Sequence, residues 1–252
     1  MGDMQTMAID RNAVCELAPE GKLRAGVVRA PQGGVFFVSV DEQAQPVGVT
    51  VDLIRQFARD LQLEPVFGVF PNSGECTDAV ASGGIDIAFM PVDAERRRKV
   101  DFGPAYYLLR STFLLAAGTG IRTIADYRQR GRRFVGIAGT TTLRAAIRTF
   151  GAERAVEARG VDEAMAQFAG GAVDAVALSE DYLAMAQPNY PGSSVMEDAF
   201  QETSISVALP RQRPLAFALA GRLLEQAKSS GQVRAIFDRN GLSGEAVAPA
   251  GS

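Results

Sequence analysis

Apolar residues recur at two different spacings along this 252-residue chain. Between Val47 and Leu63 they fall at Val51, Leu53, Ile54, Phe57, Ala58 and Leu61, with Asp60 and Gln62 on the other side. That is the spacing of an amphipathic helix. Pro214–Ser229 repeats it, and Cys76–Ser82, Leu143–Phe150, Val161–Ala169 and Gln232–Asn240 read as further helices. Short apolar runs between them predict strands at Leu23–Val28, Pro65–Phe70, Ile85–Met90, Phe113–Ala117, Phe134–Ile137, Val173–Leu178 and Ser206–Leu209. Pro65–Phe70 reads as a buried strand, because the run has no polar alternation. The pairs Gly83-Gly84 and Gly170-Gly171 stop the helices before them, since glycine supplies a left-handed cap without steric cost. Asp93-Ala-Glu-Arg-Arg-Arg-Lys99 predicts a short charged helix with Asp93 as N-cap. Residues 1–20 read as an arm or short helix, and the Pro/Gly/Ala-rich tail Ala246–Ser252 as loose.

Alternating strands and helices predict an α/β fold on mostly parallel sheets. Ala81-Ser-Gly-Gly-Ile-Asp-Ile-Ala-Phe-Met90 also echoes Ala169-Gly-Gly-Ala-Val-Asp-Ala-Val-Ala-Leu178. Each is a helix end, a Gly-Gly break, an Asp and a strand. The echo and the length suggest two similar α/β lobes of roughly 100 residues each. Ligands of open α/β sheets sit beyond the carboxyl ends of the strands, so residues after Met90 and Leu178 would line a cleft between lobes.

Composition removes several functions. Lys and Arg total 26 against 29 Asp and Glu, a net charge of −3, which argues against nucleic acid as a partner. The absence of His excludes Ser-His-Asp and Cys-His catalysis and imidazole metal sites. Cys15 and Cys76 form no CxxC pair; one disulfide or two free thiols both fit. No phosphate loop of the form GxxxxGK[ST] occurs. Met1-Gly-Asp-Met-Gln-Thr-Met7 has neither the basic nor the apolar region of a secretory signal. The chain therefore works in the cytoplasm, or a signal was removed before this numbering begins.

Three loops carry candidate chemistry. In Glu95-Arg96-Arg97, an Arg just beyond a strand end can fork onto a carboxylate, although a solvated charge run has the same pattern. In Gly139-Thr140-Thr141-Thr142, free amides and hydroxyls at a helix start can hold an anion, or Thr can simply cap the helix. Ser179-Glu180-Asp181 follows a strand and can face a ligand or cap a helix. Phe36-Phe37 can sit in a loop over the cleft or in the first sheet, and Phe102, Tyr106 and Tyr107 form an aromatic cluster.

Five segments occur in a telling order: Gln45-Pro-Val-Gly-Val-Thr-Val-Asp-Leu53, Gly84-Ile-Asp-Ile-Ala-Phe89, Glu95-Arg-Arg-Arg-Lys-Val-Asp-Phe-Gly-Pro-Ala-Tyr-Tyr107, Val135-Gly-Ile-Ala-Gly-Thr-Thr141 and Gly171-Ala-Val-Asp-Ala-Val176. The set resembles the bacterial extracellular solute-binding proteins of family 3, the receptors of polar amino-acid ABC importers. The resemblance runs from about Leu23 to Leu242. It implies a type II periplasmic-binding-protein fold: two α/β lobes, joined by two hinge strands, closing on a small molecule. Lobe 1 would be residues 1–109 plus 204–252 and lobe 2 residues 110–203. No cofactor or metal is implied. The partners implied are a small carboxylate ligand and an ABC permease, with the chain a monomer and, once exported, periplasmic.

By the same resemblance Arg96 clamps the ligand carboxylate and Thr141 adds contacts to it. Thr140, Thr142, Ser179, Met90, Asp93, Glu180, Phe36 and Ser73 complete the candidate ligand-binding set. Arg96 is expected on the cleft surface, where truncation costs little stability. The chain departs from the family where an Asp usually meets the ligand ammonium, because Ser179 stands there. The loop Met90-Pro-Val-Asp93 is about two residues short, and Arg29-Ala-Pro-Gln-Gly-Gly-Val-Phe-Phe37 replaces an aromatic-Pro-Pro-Phe loop. The leading expectation is a non-catalytic binder that delivers a small carboxylate-bearing solute, an amino acid or a related organic acid, to an ABC permease; with Ser179 in place of the Asp the ligand need not be an α-amino acid, unless Glu180 or Asp93 meets its ammonium. The alternatives are a cytoplasmic sensor and, since some relatives are cyclohexadienyl dehydratases, an enzyme with Glu180 as general acid.

Overall fold

A computed structural model describes residues 10–130 and 132–252. Residues 1–9, including the segment read for a secretory signal, lie outside the described residues. The expected arm over residues 1–20 contains a helix, α1 (Arg11–Leu17), started by Asp10, whose carboxylate accepts the Asn12 N–H at 2.9 Å.

The first half of the chain continues as β1 (Lys22–Val28), β2 (Ser39–Val40), β3 (Pro46–Val47), α2 (Val49–Leu61), β4 (Glu64–Phe70), α3 (Ser73–Ala81), β5 (Ile87–Pro91) and the long β6 (Val100–Leu115). Then follow α4 (Ile124–Arg130), β7 (Phe134–Ile137), α5 (Thr141–Phe150), β8 (Ala155–Ala158), α6 (Val161–Ala169), β9 (Ala175–Ser179), α7 (Glu180–Ala186), β10 (Ser194–Val195), β11 (Gln201–Pro210), α8 (Pro214–Ser229) and α9 (Gln232–Arg239). Among the described residues no helix is long and apolar enough to cross a membrane.

The strands run in the order β4-β1-β5-β11-β6-β9-β7-β8. β4, β1 and β5 are mutually parallel, as are β8, β7 and β9, so the two ends of the sheet repeat one arrangement. This is the two-lobed α/β architecture expected from the alternation. The echo in sequence is an echo in space. β5 and β9 each follow a helix closed by a Gly pair, with Gly83 and Gly171 at φ +76° and +69°. The Asp before each strand donates its amide to a carbonyl just ahead of, or early in, the neighbouring strand, Asp86 to Arg24 at 2.8 Å and Asp174 to Arg133 at 3.0 Å.

The lobes are joined by β6 and β11. β11 pairs with β5 through Ile205–Ala208, and β6 pairs with β9 through Ser111–Leu115. Between those regions β6 and β11 pair with each other through Arg110↔Glu202, Leu109↔Thr203 and Leu108↔Ser204, and Val92, just after β5, adds its amide to Ser204 O at 3.0 Å. The ladder slips on either side of Ser206, and such bulges bend a strand pair locally.

Three expectations need correction. β4 is an edge strand bordered only by β1, and none of its residues is fully buried, with Val66 41% and Val69 43% exposed. The charged helix after Asp93 is a single 3-10 turn over Arg96–Arg98, with the Asp93 carboxylate accepting the Arg96 N–H at 2.8 Å. The tail is not loose. It lies along the edge of β6 that no strand covers, with Ala248 N–H donating to Tyr106 O at 2.9 Å and Ala105 N–H to Ser252 O at 2.8 Å. Cys15 is an exposed free thiol and Cys76 a buried one.

Asp86 is the structural member of the echo. It is fully buried and accepts from Arg24 Nε at 2.9 Å, Arg24 Nη2 at 2.7 Å and Arg213 Nη1 at 3.2 Å, tying β1, β5 and the start of α8 together. Removing one partner of such a pair strands the others. Asp86→Ala is expected to destabilise the protein by about 3 kcal/mol, measured by urea unfolding.

Candidate functional site

β5 delivers Pro91 to the middle of the molecule, and the 3-10 turn swings Arg96 back beneath it. Arg96, expected on the cleft surface, is 2% exposed and so enclosed where the two lobes meet. Nη1 donates to Pro91 O at 2.8 Å, and Nη2 donates to Ser73 Oγ at 2.7 Å and to Gly139 O at 3.0 Å. The first two partners belong to the same lobe and the third to the other. Burial pulls the Arg96 pKa down to about 10, helped by the nearby charge of Arg144, and leaves it a cation at neutral pH. No described carboxylate forms an ion pair with it. A buried guanidinium held by neutral acceptors is a strong site for an anion.

Against this cation, Phe36 and Phe37 from the loop after β1, Ser73 from α3, Pro91, Leu109 from β6, Thr140–Thr142 from α5 and Leu178-Ser179 from β9 enclose a cavity of about 20 Å³. That is room for about one water molecule. The hydroxyls of Thr141 and Ser179 are buried without partners. Thr140 caps α5, its Oγ accepting the Leu143 N–H at 3.2 Å, and Thr142 Oγ lies 3.0 Å from Ser111 Oγ on the hinge strand. The N-terminal end of the α5 dipole therefore points at the cavity, which also favours negative charge.

The lobes are latched around it. Asp93 pairs with Arg144 of α5, and Arg144 also reaches Glu95 at 3.3 Å. Asn72 Nδ2 donates to Arg159 O at 2.9 Å, and Val35 N–H to Asp181 Oδ2 at 2.8 Å. A Cβ on Gly74 would meet Gly139 O at 3.0 Å, so the two backbones nearly touch. Burial opposes ionisation of Asp93, but the Arg96 amide and Arg144 outweigh it and hold its pKa below the ordinary value of 3.8.

Of the sequence candidates, Phe36, Ser73, Thr140, Thr141, Thr142 and Ser179 line the cavity. Arg96 stands directly behind Ser73 and Pro91. Asp93 is in the latch. Met90 packs in the first lobe's core, its sulfur accepting from Thr77 Oγ at 3.1 Å. Glu180 pairs with Arg110 at 3.0 Å outside the cavity. Sequence reasoning missed Arg144 and Asp181 as cross-cleft residues. Arg144 carried a faint signal, being one turn into the helix that Thr140 caps. Asp181 stood in the candidate segment Ser179-Glu180-Asp181, but nothing there pointed to Val35, which is distant in the chain.

A two-lobed α/β receptor with a cation and helix N-terminus facing its cleft is a solute-binding architecture. The model of the bacterial extracellular solute-binding proteins, family 3, matches residues 33–242, and the chain belongs to that family. A mutant of ArgBP from T. maritima is 20% identical, with a TM-score of 0.78 over 90% of this chain and 98% of that one. An ancestral arginine-binding protein bound to glutamine is 23% identical, TM-score 0.76, over 88% and 99%. The arginine-, lysine-, histidine-binding protein ArtJ from Geobacillus stearothermophilus is 20% identical, TM-score 0.76, over 87% and 94%. No curated protein sequence matches the chain.

The latch predicts a conformational outcome. Asp93 has a lowered pKa when closed, so its contribution to closure is present above the ordinary aspartate range and lost as pH falls through the lowered value. Arg144→Ala should open the lobes already at neutral pH, read as an increased radius of gyration in X-ray scattering. The unaltered protein should gain that radius only below about pH 4.

Proposed function

We propose that this protein is the solute receptor of an ABC importer, and that its ligand is a small organic acid without an ammonium group. The lining of the cavity carries the ligand class. Its polar side chains, Asn72, Ser73, Thr140, Thr141, Thr142 and Ser179, are neutral, the charge that touches the lining is the Arg96 cation, bonded to Ser73, and no carboxylate is among the lining residues. Burying an ammonium there without a counter-charge would cost several kcal/mol. The solved relatives named for amino acids share the fold, and Ser179 stands where the family resemblance places an ammonium-binding Asp.

Binding follows from the hinge. We take lobe 1 as residues 1–109 plus 204–252 and lobe 2 as residues 110–203; both cuts fall beside the rung Leu109↔Thr203 of the two-strand link. When the lobes part, Arg96 loses Gly139 O but keeps Pro91 O and Ser73 Oγ, both in its own lobe. Its fork therefore stays aimed while Nη2 is released for a ligand oxygen. Closure brings Thr141 and the α5 N-terminus onto the same carboxylate. The loaded receptor, exported to the periplasm and monomeric, passes its ligand to a permease. Binding rather than catalysis is supported by Glu180, whose carboxylate is paired with Arg110 and turned away from the cavity.

A thermal-shift panel of the twenty amino acids beside mono-, di- and aromatic carboxylates tests this. A ligand at 100 times its Kd adds about 2.7 kcal/mol, a shift of roughly 5–10 °C for a chain of this size. Hits are expected only among acids lacking an ammonium; stabilisation by an α-amino acid would overturn the ligand class. With the ligand found, Arg96→Lys, which keeps the charge and loses the fork, should weaken binding about 100-fold by calorimetry. Ser179→Asp is expected to move the preference toward α-amino acids in the same panel.

A further inference from the structure

Beside the hinge, away from the cleft cavity, lies a groove of about 660 Å³, within the usual size of a small-molecule site. One wall is the C-terminal tail and the other the start of α7, with Tyr107 and Leu108 of β6 between them. Four carboxylates line it, Glu180, Asp181, Glu202 and Glu245, against the one guanidinium of Arg110, which is already paired with Glu180 at 3.0 Å. Glu245 accepts the Tyr107 hydroxyl at 2.7 Å.

Acidic residues at a surface need no ligand, but Asp181 is not at the surface. It is 6% exposed, its Oδ2 accepts Val35 N–H at 2.8 Å, and its Oδ1 has no partner. A carboxylate oxygen so placed has given up water with nothing returned, a cost that a positive charge in the adjoining groove would reduce. The field is felt around it: burial first, and then the Asp181 charge, push the Tyr107 phenol far above its ordinary pKa, so Tyr107 stays a neutral donor.

We propose that this groove binds a small organic cation of the alkylamine or alkylguanidine class. Two observations choose the class. No group of three or more metal-ligating side chains exists among the described residues, so the carboxylates are spread around a space rather than gathered on one ion. Between them the groove presents apolar surface from Leu108, Val247 and Pro249, which suits an alkyl spacer between charged ends. Asp181 belongs to both features: the same side chain that borders the groove holds Val35 across the cleft.

The test is calorimetric titration of the full chain with 1,4-diaminobutane and with agmatine at physiological salt. Neither carries a carboxylate, so neither is a ligand of the Arg96 site. Saturable binding with a Kd of about 1 mM or tighter is expected. Glu202→Gln and Glu245→Gln should each weaken it about fivefold, the effect of deleting one nearby charge in a partly solvated site. Arg110→Ala should tighten it by freeing Glu180, a change of sign that misfolding cannot mimic. Absence of saturable binding, or binding unchanged in both glutamine variants, overturns the proposal.

Discussion

A buried positive charge with no carboxylate of its own organises this protein. Arg96 satisfies its guanidinium on a proline carbonyl, a serine hydroxyl and, across the cleft, a glycine carbonyl. Neutral acceptors can hold such a group but not neutralise it, so the site keeps a standing preference for an anion. The architecture exists to put those acceptors in place. β5 must end at Pro91, α3 must begin at Ser73, and α5 must start beneath the Gly139 turn, whose φ of +70° lets it approach Gly74 without a side chain between.

The two halves of the sheet supply these elements by one recipe used twice. A strand, a helix ended by paired glycines and a second strand led by an Asp give β5 in one lobe and β9 in the other. At their carboxyl ends stand Pro91 and Ser179, facing each other across the cavity. The two-strand link leaves the halves free to pivot, and the latch between Asp93 and Arg144 sets how firmly they meet.

Much of this was legible because the signals are local. α6 and α8 occupy the spans their apolar spacing predicts, since each buries one continuous face, and β7 does likewise because it is apolar and buried along its whole length. β6 was legible only near Phe113, because along its length it passes from one lobe, over the hinge, into the other, and no single pattern describes those surroundings. α7 was signalled only by its first turn, Ser179-Glu180-Asp181, which could cap a helix or face a ligand, and a helix does start there. β4 looked buried, since an apolar run does not report how many neighbours a strand has. The cavity divides the same way: the Thr turn and Ser179, singled out by position next to strand ends, do line it, while the burial of Arg96, expected on the cleft surface, was not legible because sequence cannot show the opposite lobe arriving on top of it.

The tail has a bearing on how molecules of this protein treat one another. A strand edge with free amides and carbonyls is a template onto which a strand from another chain can add. β6 would present such an edge beside its bulges, at the part of the molecule that must flex. Residues up to Ser252 occupy it instead, bonding at Ala105 and Tyr106. The segment whose composition promises least order thus covers, beside the pivot, an edge that would otherwise be open to edge-to-edge pairing.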